Sequence, residues 1–101
     1  MSHSDDKALQ KTRETIDNID YQIHDLINER AHCALQVAKI KVAEGGELVN
    51  FYRPEREAQI LQRITEHNTG PLSADAIANI FKTIMKECRQ LQVDTYPEVA
   101  K

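Results

Sequence analysis

Five polar side chains fall where the apolar residues of helical stripes belong, and their types suit an anion. Ile16, Ile23, Arg30 and Val37 follow one another at sevenfold spacing, so Arg30 takes a seam position. Lys41 comes eleven residues after Arg30, which returns it to within ~20° of the same helix face three turns along. Glu57 precedes Ile60, Leu61 and Ile64 by three, four and seven residues, and Gln92 follows Cys88 by four beside Leu91. Arg13 heads a second sevenfold stripe of Arg13, Asp20, Ile27, Ala34 and Lys41. Singly, each such residue can snorkel to water or pair with an acid and do no more than fix register. Jointly, three cations, a carboxylate and an amide turned inward make a polar cavity in which uncompensated cations are costly. An anion bearing carboxylates or phosphates compensates them. Lys41 and Gln92 then suit an ether or carbonyl oxygen, and Glu57 a hydroxyl. No nucleophile stands beside a base and no glycine loop cradles phosphate, so the expected chemistry works by position and charge rather than by covalent attack.

The elements that must position these groups are read from sparse punctuation. The three glycines (Gly45, Gly46, Gly70) and three prolines (Pro54, Pro71, Pro97) divide the 101 residues into a long segment, a shorter one, a third and a tail. Asp5 to Val42 holds neither residue type, and its apolar positions step by threes and fours, which predicts a helix ~55 Å long. Such a helix cannot fold back on itself in so short a chain and must lie along another copy or another chain. Pro54 suits the first turn of a second helix, whose apolar face is Ala58, Ile60, Leu61 and Ile64 and which HNTGP ends. Ser73 is the expected N-cap of a third helix, with Asp75 in its first turn and a stripe of Ile77, Ile80, Phe81, Ile84, Cys88 and Leu91. The expected architecture is all-α, one domain over 1–101, ordered from about 5 to 93 with a frayed tail over 94–101.

Composition removes other classes of function. Thirteen basic against sixteen acidic residues leave a net charge of −3, the wrong sign for sequence-independent nucleic-acid binding. No apolar run reaches the ~20 residues of a membrane span, and the start MSHSDDK lacks the basic-then-apolar layout of a signal peptide. Cys33 and Cys88 are too few for a disulfide scaffold, and with His3, His24, His32 and His67 they show no metal-ligand spacing. Cytoplasm is the expected location, with no metal.

The stretches TRETIDNIDYQIHDLINERAHCALQVAKIK, FYRPEREAQIL and GPLSADAIANIFKTIMKECRQLQ together resemble the all-helical chorismate mutases. The likeness is greatest to the mutase domains of proteobacterial bifunctional enzymes that also carry prephenate dehydratase. The resemblance implies three helices per chain and an intertwined homodimer with shared active sites and no cofactor. It also implies a [3,3] pericyclic shift of chorismate to prephenate in phenylalanine and tyrosine biosynthesis. Carried over residue by residue, Arg30 clamps one substrate carboxylate and Arg13 reaches from the other subunit to the second. Lys41 and Gln92 donate to the ether oxygen, and Glu57 holds the hydroxyl with backbone near Arg56. Two positions depart from a common form of the pattern. Arg53 stands where some members have an acidic residue, and Cys88 where a serine is frequent near a carboxylate. The isochorismate–pyruvate lyases share the architecture, and a non-catalytic helical dimerisation module could carry the same stripes.

Overall fold

The computed structural model describes residues 3–45 and 47–101. Its elements are α1 (His3–Glu44), α2 (Pro54–His67) and α3 (Ala74–Thr95), with no strand among the described residues. The all-α expectation holds, and α1 extends beyond the expected Asp5–Val42 to 42 residues, ~63 Å of helix. Gly45 ends it by donating its N–H to the Lys41 carbonyl at 2.7 Å. A Cβ at Gly45 would stand 2.8 Å from that same oxygen, so the close approach requires glycine. The chain divides into two compact units between Arg30 and Ala31.

The first unit is α1 up to Arg30. Every described side chain from Asp6 to Glu29 is exposed, and Arg30 is half-buried. Thr12 and Thr15 turn their hydroxyls back to the carbonyls of Ala8 and Lys11.

The second unit joins the end of α1, from Ala31, to α2 and α3. Pro54 opens α2 with Glu55 and Glu57 in its first turn, where acids complement the helix dipole. The turn to α3 is tied by Asn68, whose amide donates to the Leu72 carbonyl at 2.8 Å while its oxygen accepts from the Gly70 N–H at 3.3 Å. Gly70 has φ +85°, a conformation that a β-carbon disfavours. Ser73 caps α3 as expected, accepting from the Ala76 N–H at 3.1 Å. α2 packs on α3.

The buried cluster of this unit is small. Ala38, Val49 and Phe51 form it, with Val42, Val93, Tyr96, Val99 and Ala100 packed around them. α3 buries Met85, Cys88 and Gln92. Met85 is absent from the expected stripe, and Ile80, which belongs to it, is exposed. On α2, Ile60, Leu61 and Ile64 are half-buried and Ala58 is exposed.

The expectation of a frayed tail over 94–101 is overturned. α3 continues to Thr95, and Val49 then bridges Ala100 in parallel, with the Val49 N–H on the Val99 carbonyl at 2.7 Å and the Lys101 N–H on the Val49 carbonyl at 2.9 Å. The Tyr96 ring lies 6.4 Å from that of Phe51, tilted by 37°. These pairings are long-range, so no local periodicity announces them. Tyr96→Ala is expected to cost about 1–3 kcal/mol, since it removes an aromatic partner from the Phe51 cluster. Thermal unfolding at fixed protein concentration measures this, and an unshifted midpoint would mean that the tail carries no packing.

Candidate functional site

One buried amide ties the candidate side chains on α3 to the end of α1. Gln92 is only 7% exposed, and its Nε2 donates to the Ala34 carbonyl at 2.8 Å. A helical carbonyl has a second lone pair to offer, so Ala34 accepts this bond without leaving its own helix. Nε2 keeps a second N–H, which is the donor the sequence assigns to an ether oxygen. Ala34 and Lys41 are seven residues apart, within ~20° on the helix, so Gln92 meets the stripe that carries Lys41 two turns later.

Lys41 is half-buried and donates to the Asn50 carbonyl at 3.5 Å, a long contact that leaves most of its donor capacity free. Burial, and after it the nearby Arg53 guanidinium, holds its pKa below the ordinary lysine value. The two cations thus raise each other's energy.

Glu57, at the start of α2, is half-buried, and its Oε2 accepts a charge-assisted hydrogen bond from Arg89 Nη1 on α3. Arg89 also lies over the Tyr52 ring, with Cζ 4.6 Å from the centroid, a cation–π arrangement. Cys88, a free thiol, is buried beside Arg89 on α3, one turn before Gln92. Arg56 is exposed and turns its guanidinium to Gln59 Oε1 at 3.2 Å.

Among the sequence-predicted residues, then, Lys41, Glu57, Cys88 and Gln92 all fall in the second unit with their inward character retained. Arg13 and Arg30 belong to the first unit, the former exposed and the latter half-buried. Arg89, Tyr52 and Asn50 were missed. Arg89 keeps no sevenfold spacing with the expected stripe of α3, since Lys82 stands seven residues before it, so periodicity did not single it out. Tyr52 and Asn50 lie in an aperiodic connection and gave no signal.

Among the described residues, no group of three His, Cys, Asp or Glu side chains is placed to hold a metal ion. No helix there is long and apolar enough to cross a membrane. A depression of about 360 Å³ on the first unit is lined by Asp17, Asp20, Tyr21 and His24. It contains none of the predicted residues, and its two carboxylates make it a poor seat for an anion.

Residues 12–93 match the family model of chorismate mutase type II. The chain is 46% identical over 94 residues to a bifunctional chorismate mutase/prephenate dehydratase of Stutzerimonas stutzeri, covering 91% of this chain and 25% of that protein. Its identity to the protein of the same name from Neisseria gonorrhoeae is 42% over 88 residues, covering 87% and 23%. The chain therefore spans about a quarter of the length of the curated relatives it matches. A solved structure of chorismate mutase (form II) from Thermus thermophilus superposes with a TM-score of 0.79 at 27% identity, covering 84% of this chain and 93% of that one. By sequence over most of its length, and by fold, the chain belongs to the chorismate mutase type II family.

Proposed function

We propose that the chain catalyses the rearrangement of chorismate to prephenate, without a cofactor, as a homodimer in which each site draws on both chains. The observation that carries this reading is the family match over 12–93, a span containing all seven proposed site positions: Arg13, Arg30, Lys41, Arg56, Glu57, Cys88 and Gln92. The homodimer is supported by the apolar stripe of α1. Leu9, Ile16, Ile19, Ile23, Leu26, Ile27, Val37 and Ile40 are each between 38% and 64% exposed in the single chain. A soluble protein seldom leaves so continuous an apolar row to water, and a second copy of the same helix covers it. Free Cys33 and Cys88 suit a reducing compartment, and the reading places the enzyme in the cytoplasm.

In the proposed reaction the ether C–O bond breaks as a C–C bond forms, and no proton or nucleophile is needed. The protein's contribution is to select the compact substrate conformer and to stabilise the charge that grows on the ether oxygen. Arg30 and Arg13, from different chains, clamp the two carboxylates. Lys41 and the free N–H of Gln92 donate to the ether oxygen, and their contacts strengthen as the bond breaks. Glu57 accepts the substrate hydroxyl, helped by backbone near Arg56, and Cys88 fills the wall where a hydroxyl would otherwise stand. Separate incubations with chorismate and with isochorismate, each with product identification, test this. Prephenate supports it, salicylate and pyruvate from isochorismate assign the lyase reaction instead, and turnover of neither leaves a dimerisation module.

The cross-subunit clamp predicts complementation. Arg13→Ala and Arg30→Ala should each be nearly inactive. Exchange of subunits between them should restore up to half of the wild-type activity per heterodimer, because one site then holds both lesions and the other neither. No recovery after verified exchange would refute the shared site.

Gln92→Glu places a carboxylate against the Ala34 carbonyl, an arrangement that favours the protonated acid and raises its pKa, with Lys41 opposing. The variant should lose activity at neutral pH and regain part of it on acidification. A flat profile equal to wild type would remove Gln92 from the ether oxygen.

The lowered pKa of Lys41 gives the last prediction of this reading. Activity that requires the ammonium falls as pH rises through that lowered pKa, earlier than an ordinary lysine would dictate. Arg53→Ala removes the second cause and leaves burial, so the alkaline limb of kcat/KM should move to higher pH by a fraction of a unit to about one unit. A limb that stays in place would mean that Lys41 is not the group titrating.

A further inference from the structure

We infer that Arg89 is a positioning residue for the substrate hydroxyl: it holds and neutralises the Glu57 carboxylate so that the other oxygen, Oε1, is the one presented to the substrate. The inference rests on the chorismate mutase reading and deepens it at one atom.

The geometry separates the two carboxylate oxygens. Arg89 Nη1 takes Oε2, and Arg89 is itself seated with its guanidinium carbon 4.6 Å from the centre of the Tyr52 ring. The guanidinium is therefore held from both sides, by a π face and by an anion, and its planar form suits both contacts. Glu57 belongs to the first turn of α2 and Arg89 to the second half of α3, so the pair also bridges two packed helices. Arg89 precedes Gln92 by three residues on α3 and follows buried Cys88 directly, which places Glu57 Oε2 beside the helix that supplies the ether donor.

Charge gives the arrangement its purpose. The proposed substrate carries two carboxylates, and a lone carboxylate at Glu57 would repel it. Paired with Arg89, Glu57 can accept a hydroxyl hydrogen bond without adding net negative charge to the site. The hydroxyl is not a reacting atom, and its hydrogen bond is made equally in the bound substrate and in the transition state. Losing such uniform binding raises KM and leaves kcat nearly unchanged.

The experiment compares the wild type with full-length Arg89→Leu, Arg89→Lys, Glu57→Gln and the Arg89→Leu/Glu57→Gln double variant, with chorismate as the probe. Wild-type turnover to prephenate tests the underlying reading, whereas the ratio of each variant to wild type tests the inference. Arg89→Leu should raise KM about 10- to 100-fold with kcat changed less than about threefold, because a hydrogen bond to a charged group is lost and a repulsion gained. The rise should shrink at high salt, which screens that repulsion. Arg89→Lys should restore much of the loss, keeping the cation while giving up the planar fork. The double variant should bind chorismate no worse than Arg89→Leu alone, since the unpaired carboxylate is gone. A purely structural role for Arg89 would instead lower the unfolding temperature and kcat through loss of active protein, at unchanged KM. That result, or a KM lower than wild type in Arg89→Leu, would overturn the inference. So would single losses that multiply in the double variant. Each leaves the mutase reading intact.

Discussion

Gln92 donates from a buried α3 amide to the backbone of α1, and the arrangement of the second unit depends on that bond. A side-chain amide taken out of water must find partners, so its bond to the Ala34 carbonyl fixes how α3 faces the end of α1. Small residues permit the approach. Ala38, one turn beyond Ala34, is completely buried, and a larger side chain at that position would push the packed elements apart. With α3 so placed, Arg89 meets Glu57 on α2, and the connection bearing Val49 and Phe51 closes over Ala38 and Val93. One polar contact and a few small side chains thus set the positions of the groups assigned to charge stabilisation.

The division into two units follows from where apolar surface finds cover. Beyond Ala31 the chain supplies α2, α3, the connection and the tail, and a compact unit results. Before Ala31 it supplies nothing but helix, and isoleucines and leucines that a helical period selects for burial stand in water. Helix propensity alone gives marginal stability to a helix without packing. In the proposed dimer the same residues that lack cover in one chain provide it for the other. In that proposal the length of α1 would also bring Arg13 to the partner's site.

Local chemistry made much of this legible before any coordinates. Proline at 54 and serine at 73 marked where α2 and α3 begin, because caps and breakers act within a turn of themselves. The family pattern was legible for the same reason, its motifs being spaced along single helices. What escaped depends on partners far off in sequence. Residues 94–101 have no period, and their order comes from backbone pairing with Val49, half the chain away. Arg89 reads as one more surface cation until α2 brings Glu57 to it across 32 residues. Met85 escapes because Ile84 beside it is the more apolar residue, whereas the packed helix buries Met85 and leaves Ile84 half-buried.

Arg53 and Arg89 divide two electrostatic tasks between them. Arg89 is balanced: Glu57 neutralises it, Tyr52 lies against it, and in the role inferred for it the pair adds no net negative charge facing an anionic ligand. Arg53 is set against Lys41, whose pKa burial lowers first and the Arg53 charge second. Repulsion between two cations is an unfavourable term that an anion placed near both removes. In the proposed reaction, a substrate with two carboxylates and an ether oxygen gaining negative charge relieves that repulsion progressively. Relief is greatest where the oxygen's charge is greatest, which is in the transition state. In the unliganded protein, burial first and the Arg53 charge second keep the Lys41 pKa lowered.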